Sequence, residues 1–178
     1  MTPEMYFSVD IESAGPIPGK YSMLSLGACV VGNSEREFYV ELKPITKEFV
    51  PEALKVSGFD LDRLEQTGQT PIKAMRAFSD WIEASAKDHK AVFVGFNACY
   101  DWQFVNWYLE SFTGGNPLGF GGIDIKSYFM GLRGVPWSKT TSSQLPTEFQ
   151  PDTAQTHNAL EDARAQASMF RKLLNAHK

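Results

Sequence analysis

The sequence predicts one α/β domain, and two patterns predict it. Two apolar-alternating segments with an apolar one between them, separated by turn formers, open the chain, and apolar runs then alternate with stretches of helical periodicity, a strand, helix, strand, helix succession that implies a βαβ portion. At 178 residues with 43% hydrophobic content, the chain can fill one core and is short for two, so residues 1–178 are read as a single domain.

Residues 5–12 read as the first strand. Phe7, Val9 and Ile11 alternate with Ser8, Asp10 and Glu12, so the two carboxylates share one face, roughly 7 Å apart along the strand. Gly15-Pro16-Ile17-Pro18-Gly19-Lys20 is rich in turn formers and reads as a loop. A second strand over 23–31, a turn at Gly32-Asn33-Ser34 and a third strand over 37–43 complete an antiparallel meander, which Pro44 ends. Residues 51–56 form a short helix stopped by Ser57-Gly58. Thr70 as N-cap and Pro71 at the first helical position begin a longer one, with Ile72, Met75, Phe78 and Ile82 on its buried face.

The run 91–96 is continuously apolar, as in a strand covered on both sides. It passes into a helix over 98–112 whose buried stripe is Ala98, Trp102, Val105, Leu109 and Phe112, with Asp101 at its margin. A short strand over 122–126 carries Asp124 and leads to a helix through Leu132. Residues 135–156 are dominated by Ser, Thr, Pro and Gln and predict a long exposed loop. The final helix runs to about Ala176, opened by Asn158 and Glu161 at capping-box spacing and burying Ala159, Ala163, Phe170, Leu173 and Leu174.

Composition narrows the function. A net charge of −4 argues against a broad basic surface gripping long nucleic acid, but not against a site that holds a few nucleotides and meets phosphate through cations. No run is long and apolar enough for a membrane span and the N-terminus lacks a leader pattern, so a soluble, cytoplasmic protein without membrane contact is expected. Cys29 and Cys99 lie in apolar segments without paired spacing and are expected to be buried free thiols.

Carboxylates recur at element ends: Asp10 and Glu12, then Asp101, then Asp162 with His157 just upstream. Each alone has an ordinary reading. A strand-end Asp-x-Glu is commonly a solvated edge, Asp101 suits a helix dipole, and a histidine before a helix is commonly on the surface. Their conjunction is different. Phe7-Ser8-Val9-Asp10-Ile11-Glu12, Gly95-Phe96-Asn97-Ala98-Cys99-Tyr100-Asp101 and His157-Asn158-Ala159-Leu160-Glu161-Asp162-Ala163 resemble, in order and context, the three motifs of the DEDDh family of 3′-to-5′ exonucleases. Relatives of that family include polymerase proofreading subunits, ribonuclease T and oligoribonuclease. A histidine five residues before the last aspartate fits the histidine branch; the tyrosine branch would place Tyr where Asn158 stands. The chain departs from many relatives in having Phe96 before Asn97 and Ser13 where threonine is frequent.

The resemblance implies a ribonuclease H-like fold with a mixed five-stranded sheet in the order 3-2-1-4-5. It also implies a two-metal phosphodiesterase using Mg²⁺ or Mn²⁺, as oxygen ligands suit hard cations. Asp10 would bridge both ions, Glu12 and Asp162 would complete one site, Asp101 would act through water, and His157 would be the general base, a histidine being suited to proton transfer near neutrality. Substrate arrival would draw His157 inward on its polar loop. Ser13, Gly15, Met23 and Asn97 are the candidate substrate contacts, Trp102, Tyr128 and Phe149 candidate base platforms, and Lys20, Arg133 and Lys139 candidate phosphate contacts. The implied partners are single-stranded RNA or DNA 3′ ends, RNA or short oligonucleotides slightly favoured, with nucleoside 5′-monophosphates released; a homodimer is compatible. The rival readings are a non-catalytic binding module, which would be expected to lack a carboxylate, and an endonuclease of the same superfamily, which His157 disfavours.

Overall fold

A computed structural model describes residues 2–153 and 156–176. Five strands, β1 (Glu4–Ser13), β2 (Met23–Val30), β3 (Asn33–Glu41), β4 (Lys90–Gly95) and β5 (Gly122–Asp124), form one mixed sheet in the order β3-β2-β1-β4-β5. The first three are antiparallel neighbours, while β1 with β4 and β4 with β5 are parallel. This is the sheet order and architecture that the resemblance implies.

The alternation along β1 divides the molecule. Phe7, Val9 and Ile11 enter a core shared with α3 (Pro71–Ala86) and α4 (Ala98–Thr113). Tyr6, on the other face, packs edge-on against Phe170 of α6 (Ala159–Ala176), beside Ile125 and Phe129 of α5 (Ile125–Arg133). Full burial of side chains such as Phe7, Phe78 and Phe170 contributes roughly 1.5–3 kcal/mol each to holding these layers together.

One close approach fixes where α6 begins. Gly27 lies opposite Asp10 in the β1/β2 register, and a Cβ on it would overlap the backbone of Ala159 and Leu160. The missing side chain lets the first turn of α6 sit on the sheet beside Asp10, bringing Asp162 to the strand carboxylates.

Several elements differ from the sequence expectation. The third strand begins at Asn33, so the expected turn is tighter. The helix α1 (Pro51–Ser57) ends at Gly58 in the left-handed region, as expected of a glycine stop. A further helix, α2 (Leu61–Thr67), follows, capped by Asp60 and burying only Leu64. Thr70 precedes α3 without a side-chain capping bond. In α4 the buried set is Ala98, Asp101, Phe104, Val105, Tyr108 and Leu109: the stripe is rotated toward Asp101, leaving Trp102 and Phe112 partly buried. Of the loop expected over 135–156, residues 154 and 155 lie outside those described, and the rest is no simple exposed loop, since three 3₁₀ turns seat Leu145 and Phe149 in the α5/α6 core. Cys29 is buried, but Cys99 is exposed, on the first turn of α4 where the helix faces a cleft. Among the described residues no helix is long and apolar enough to cross a membrane.

Candidate active site

The carboxylates meet where β4 stops. Its register with β1 ends at Ser8 and Val94, which leaves the β1 backbone beyond without a β4 neighbour. Asp101 takes that place: its Oδ1 accepts the Ile11 N–H at 3.1 Å, so the α4 carboxylate is tied between Asp10 and Glu12. From the α6 side, Gln166 Nε2 donates to Asp10 Oδ1 at 2.6 Å and Gln166 Oε1 accepts the Phe96 N–H at 3.0 Å. One amide therefore joins the first-motif aspartate to the start of the second motif.

Asp162 organises the third motif. Its two oxygens accept the backbone N–H groups of Thr156 at 2.8 Å and His157 at 3.1 Å. These bonds hold His157 at φ 59°, a left-handed conformation uncommon for a residue with a Cβ. Asn158 Oδ1 caps α6 by accepting the Leu160 and Glu161 N–H groups, but Glu161 accepts the Thr156 hydroxyl instead of completing a reciprocal box. As a result, ligand atoms of Glu12, His157 and Asp162 all lie within 4.8 Å of one another.

Crowding like charges in a buried space has an electrostatic cost. Burial, and then the neighbouring Asp101, Asp162 and Glu12, push the Asp10 carboxyl well above its ordinary range, with the Gln166 bond opposing the rise. Burial also raises Asp101, and burial followed by Asp162 raises Glu12 to about 7. Carboxylates that repel one another out of water are an oxygen donor set that hard divalent cations would relieve.

The cleft walls come from α4 and α5, and one side chain sets both. Asp124 Oδ2 accepts the Ala98 N–H at 2.9 Å, while its Oδ1 accepts the Ser127 N–H and hydroxyl, each at 2.7 Å. Asn97, in the left-handed region before α4, makes no side-chain cap of its own and accepts from Lys126 Nζ at 2.7 Å.

The remaining sequence candidates separate clearly. Asn97 lines the cleft. Ser13 is buried, with its hydroxyl on the Gly15 carbonyl at 2.9 Å and the Tyr100 hydroxyl at 2.8 Å, and it borders a side groove. Gly15 is covered by the Tyr21 ring, leaving its carbonyl on Ser13 and Tyr100. Met23 is wholly buried in the α3/α4 core, too deep to touch a nucleotide. Trp102 packs on Phe93, Tyr128 on Phe170 and Phe149 on Phe129, so these rings are core components. Arg133 is paired with Glu148, and Lys20 lies over the Tyr21 ring. Lys20, Arg133 and Lys139 do not line the cleft. Sequence reading passed over Gln166, Lys126 and Trp137, and it noted Asp124 without giving it a role. Gln166, four residues after Asp162, was detectable as its neighbour on the same helical face.

The exonuclease family model (RNase_T) matches residues 7–170, spanning all three motifs. Over 169 residues the chain is 46% identical to the 3′-5′ DNA exonuclease Cap18 of Escherichia coli, covering 94% of this chain and 90% of that protein. The chain belongs to the DEDDh family of 3′-to-5′ exonucleases. It is accordingly a hydrolase of that class. Among solved DEDDh-type folds, the nuclease domain of 3′hExo, a DEDDh family member bound to rAMP, superposes with a TM-score of 0.76 at 15% identity, covering 97% of this chain and 92% of that one. E. coli Exonuclease I in complex with a dT13 oligonucleotide gives 0.67 at 16% identity, covering 97% of this chain and 41% of that longer protein.

Proposed function

We propose that this exonuclease removes nucleotides from the 3′ end of single-stranded DNA, releasing nucleoside 5′-monophosphates, with His157 as general base and two Mg²⁺ or Mn²⁺ ions as cofactors. The convergence of Glu12, His157 and Asp162 beside buried Asp10 and Asp101 carries this reading. Asp10, Glu12 and Asp162 would hold the ions directly, and Asp101 through water. When bound, two such ions supply charge stabilisation for the phosphoryl and leaving oxygens and acidify the attacking water.

The protein's own groups do the rest. A separation of 4.8 Å or less between the His157 imidazole and the two carboxylates is one that a single water bridges at hydrogen-bond lengths of about 2.8 Å. His157 accepts that water's proton as it attacks phosphorus, and the bond to the upstream 3′ oxygen breaks. Gln166 and Ile11 orient Asp10 and Asp101 throughout. The choice of DNA over the RNA slightly favoured by composition is supported by the name of the 46% identical relative.

The test uses 5′-labelled single-stranded DNA and RNA with Mg²⁺ or Mn²⁺, comparing wild type with Asp10→Ala and His157→Ala. A ladder shortening from the 3′ end of DNA, abolished by chelator and by either substitution, is expected. Full-length DNA under every condition would overturn the reading, and faster shortening of RNA would reverse the substrate choice.

A further inference from the structure

Two lobes open from Asp10. One is bounded by Glu12, Asp101 and His157. The other, about 470 Å³, runs from Asp10 and Asp162 past Lys126 to Thr141, Ser142 and Ser143. Lys126 is the one Lys or Arg among the described residues lining either lobe.

The setting of Lys126 is unusual for a lysine. Its residue is only 8% exposed, yet no ion pair to a carboxylate is made by it among the described residues. Nζ donates to Asn97 Oδ1 at 2.7 Å and lies 4.1 Å from the centre of the Trp137 ring and 5.8 Å from that of Phe96. Ring faces and one amide oxygen offset part of the cost of removing an ammonium from water. An anion entering the lobe would offset more.

The opposite side of the site is unsuited to a polyanion. There a groove of about 280 Å³ is bounded by Glu12, Glu52, Ala53, Val56 and Tyr100. Beyond the metal-ligand candidate Glu12 it offers the Glu52 carboxylate, apolar side chains and, among the described residues, no Lys or Arg, a lining that disfavours a phosphodiester backbone but accommodates a terminal nucleoside. The hydroxyl-lined lobe that holds the cation is the one whose lining suits the strand.

We propose that Lys126 binds the phosphate immediately upstream of the scissile bond, and that Trp137, half exposed at the cleft, is the platform for the adjacent base. This rests on the exonuclease reading. It assigns Lys126 a role in strand binding in addition to its contact with Asn97.

The test compares kcat/KM on a short single-stranded oligodeoxynucleotide with kcat/KM on the p-nitrophenyl ester of thymidine 5′-monophosphate, whose aryl leaving group carries no upstream phosphate. Wild type, Lys126→Met, Lys126→Arg and Ser142→Asp are measured over a salt series. For Lys126→Met the oligonucleotide-to-ester ratio is expected to fall about tenfold or more, mainly through KM. The salt slope should fall by about 0.7, the value for one single-strand phosphate contact. Lys126→Arg should restore most of the ratio, and Ser142→Asp, on the exposed rim, should lower it even if Lys126→Met does not fold. An equal loss on both substrates, or an unchanged ratio in Lys126→Met and Ser142→Asp, would overturn the proposal. A wild-type protein inactive on both substrates would instead reject the exonuclease reading.

Discussion

Gln166 reaches from α6 to Asp10 with a 2.6 Å hydrogen bond while its carbonyl oxygen receives the Phe96 N–H. The bond favours the charged form of Asp10, opposing the rise that burial causes. Gln166→Leu is expected to lower activity by about tenfold to a hundredfold, the usual effect of removing a group that orients a metal ligand. Because Asp10 would then be protonated at higher pH, the divalent ion needed for half-maximal activity should increase, more at neutral than at alkaline pH. A metal requirement and pH profile matching wild type would refute this role.

Gly27→Ala places a methyl group where the Ala159–Leu160 backbone runs. The helix must retreat, taking Asp162 from Asp10 and Glu12. Overpacking of this kind costs about 1–3 kcal/mol, so a melting temperature lower by several degrees is expected. The kcat should fall more steeply than stability alone explains, because the displaced element carries a site carboxylate. Calorimetry and single-turnover kinetics measure the two effects, and wild-type values in both would contradict the packing argument.

The raised carboxyl groups predict an inverse relation between pH and stability in the metal-free protein. Glu12 has an ordinary value of 4.5 and a folded value of about 7. The folded state therefore binds more protons; the contribution is full below 4.5 and is lost as pH rises through 7. For Glu12 this amounts to on the order of 2 kcal/mol after allowing for its partial exposure, and Asp10 and Asp101 act in the same direction. Melting in chelator should drop between about pH 5 and about pH 8, and Mg²⁺ or Mn²⁺ should recover more at the higher pH, where they compete with fewer protons. A chelated protein whose stability increases across that window would show that the carboxyls are not raised.

Cys99 and Cys29 should react at very different rates. Cys99 is exposed on the cleft wall, whereas Cys29 is buried and burial pushes its thiol up to about 12. Maleimide should label Cys99 rapidly and slow oligonucleotide hydrolysis by filling the cleft, with a bound oligonucleotide and chelator protecting it. Cys99→Ser should be resistant to this inhibition. Mass spectrometry after brief labelling that finds the adduct on Cys29 would contradict the assignment.

The sheet was legible because β1 and β3 alternate while β2 and β4 are largely apolar runs. The α2 helix was not, since only Leu61 and Leu64 are apolar in its seven residues and its position depends on burial of Leu64 beside Ala14 and Leu24. Leu145 and Phe149 likewise lack periodicity; their burial comes from contact with α5 and α6. The carboxylates and His157, which the structure brings together, stand out in sequence through motif order, whereas the Lys126–Trp137 contact is between separate elements and has no spacing signature. Cys99 was misplaced because an apolar neighbourhood in sequence does not specify which side of a helix faces the core, and Met23 because β2 is buried at every position.

The three-residue strand β5 ends in Asp124, whose carboxylate caps α4 on one side and α5 on the other. Both walls are thus located from a single datum, and positional error in the intervening loop, residues 114–121, does not accumulate across the gap between them. The long connection from α4 to β5 can vary in sequence and length while the width offered to a nucleotide strand stays constant. Replacing Asp124 would spread that width into a distribution, which substrates would experience as lost discrimination before the fold itself was lost.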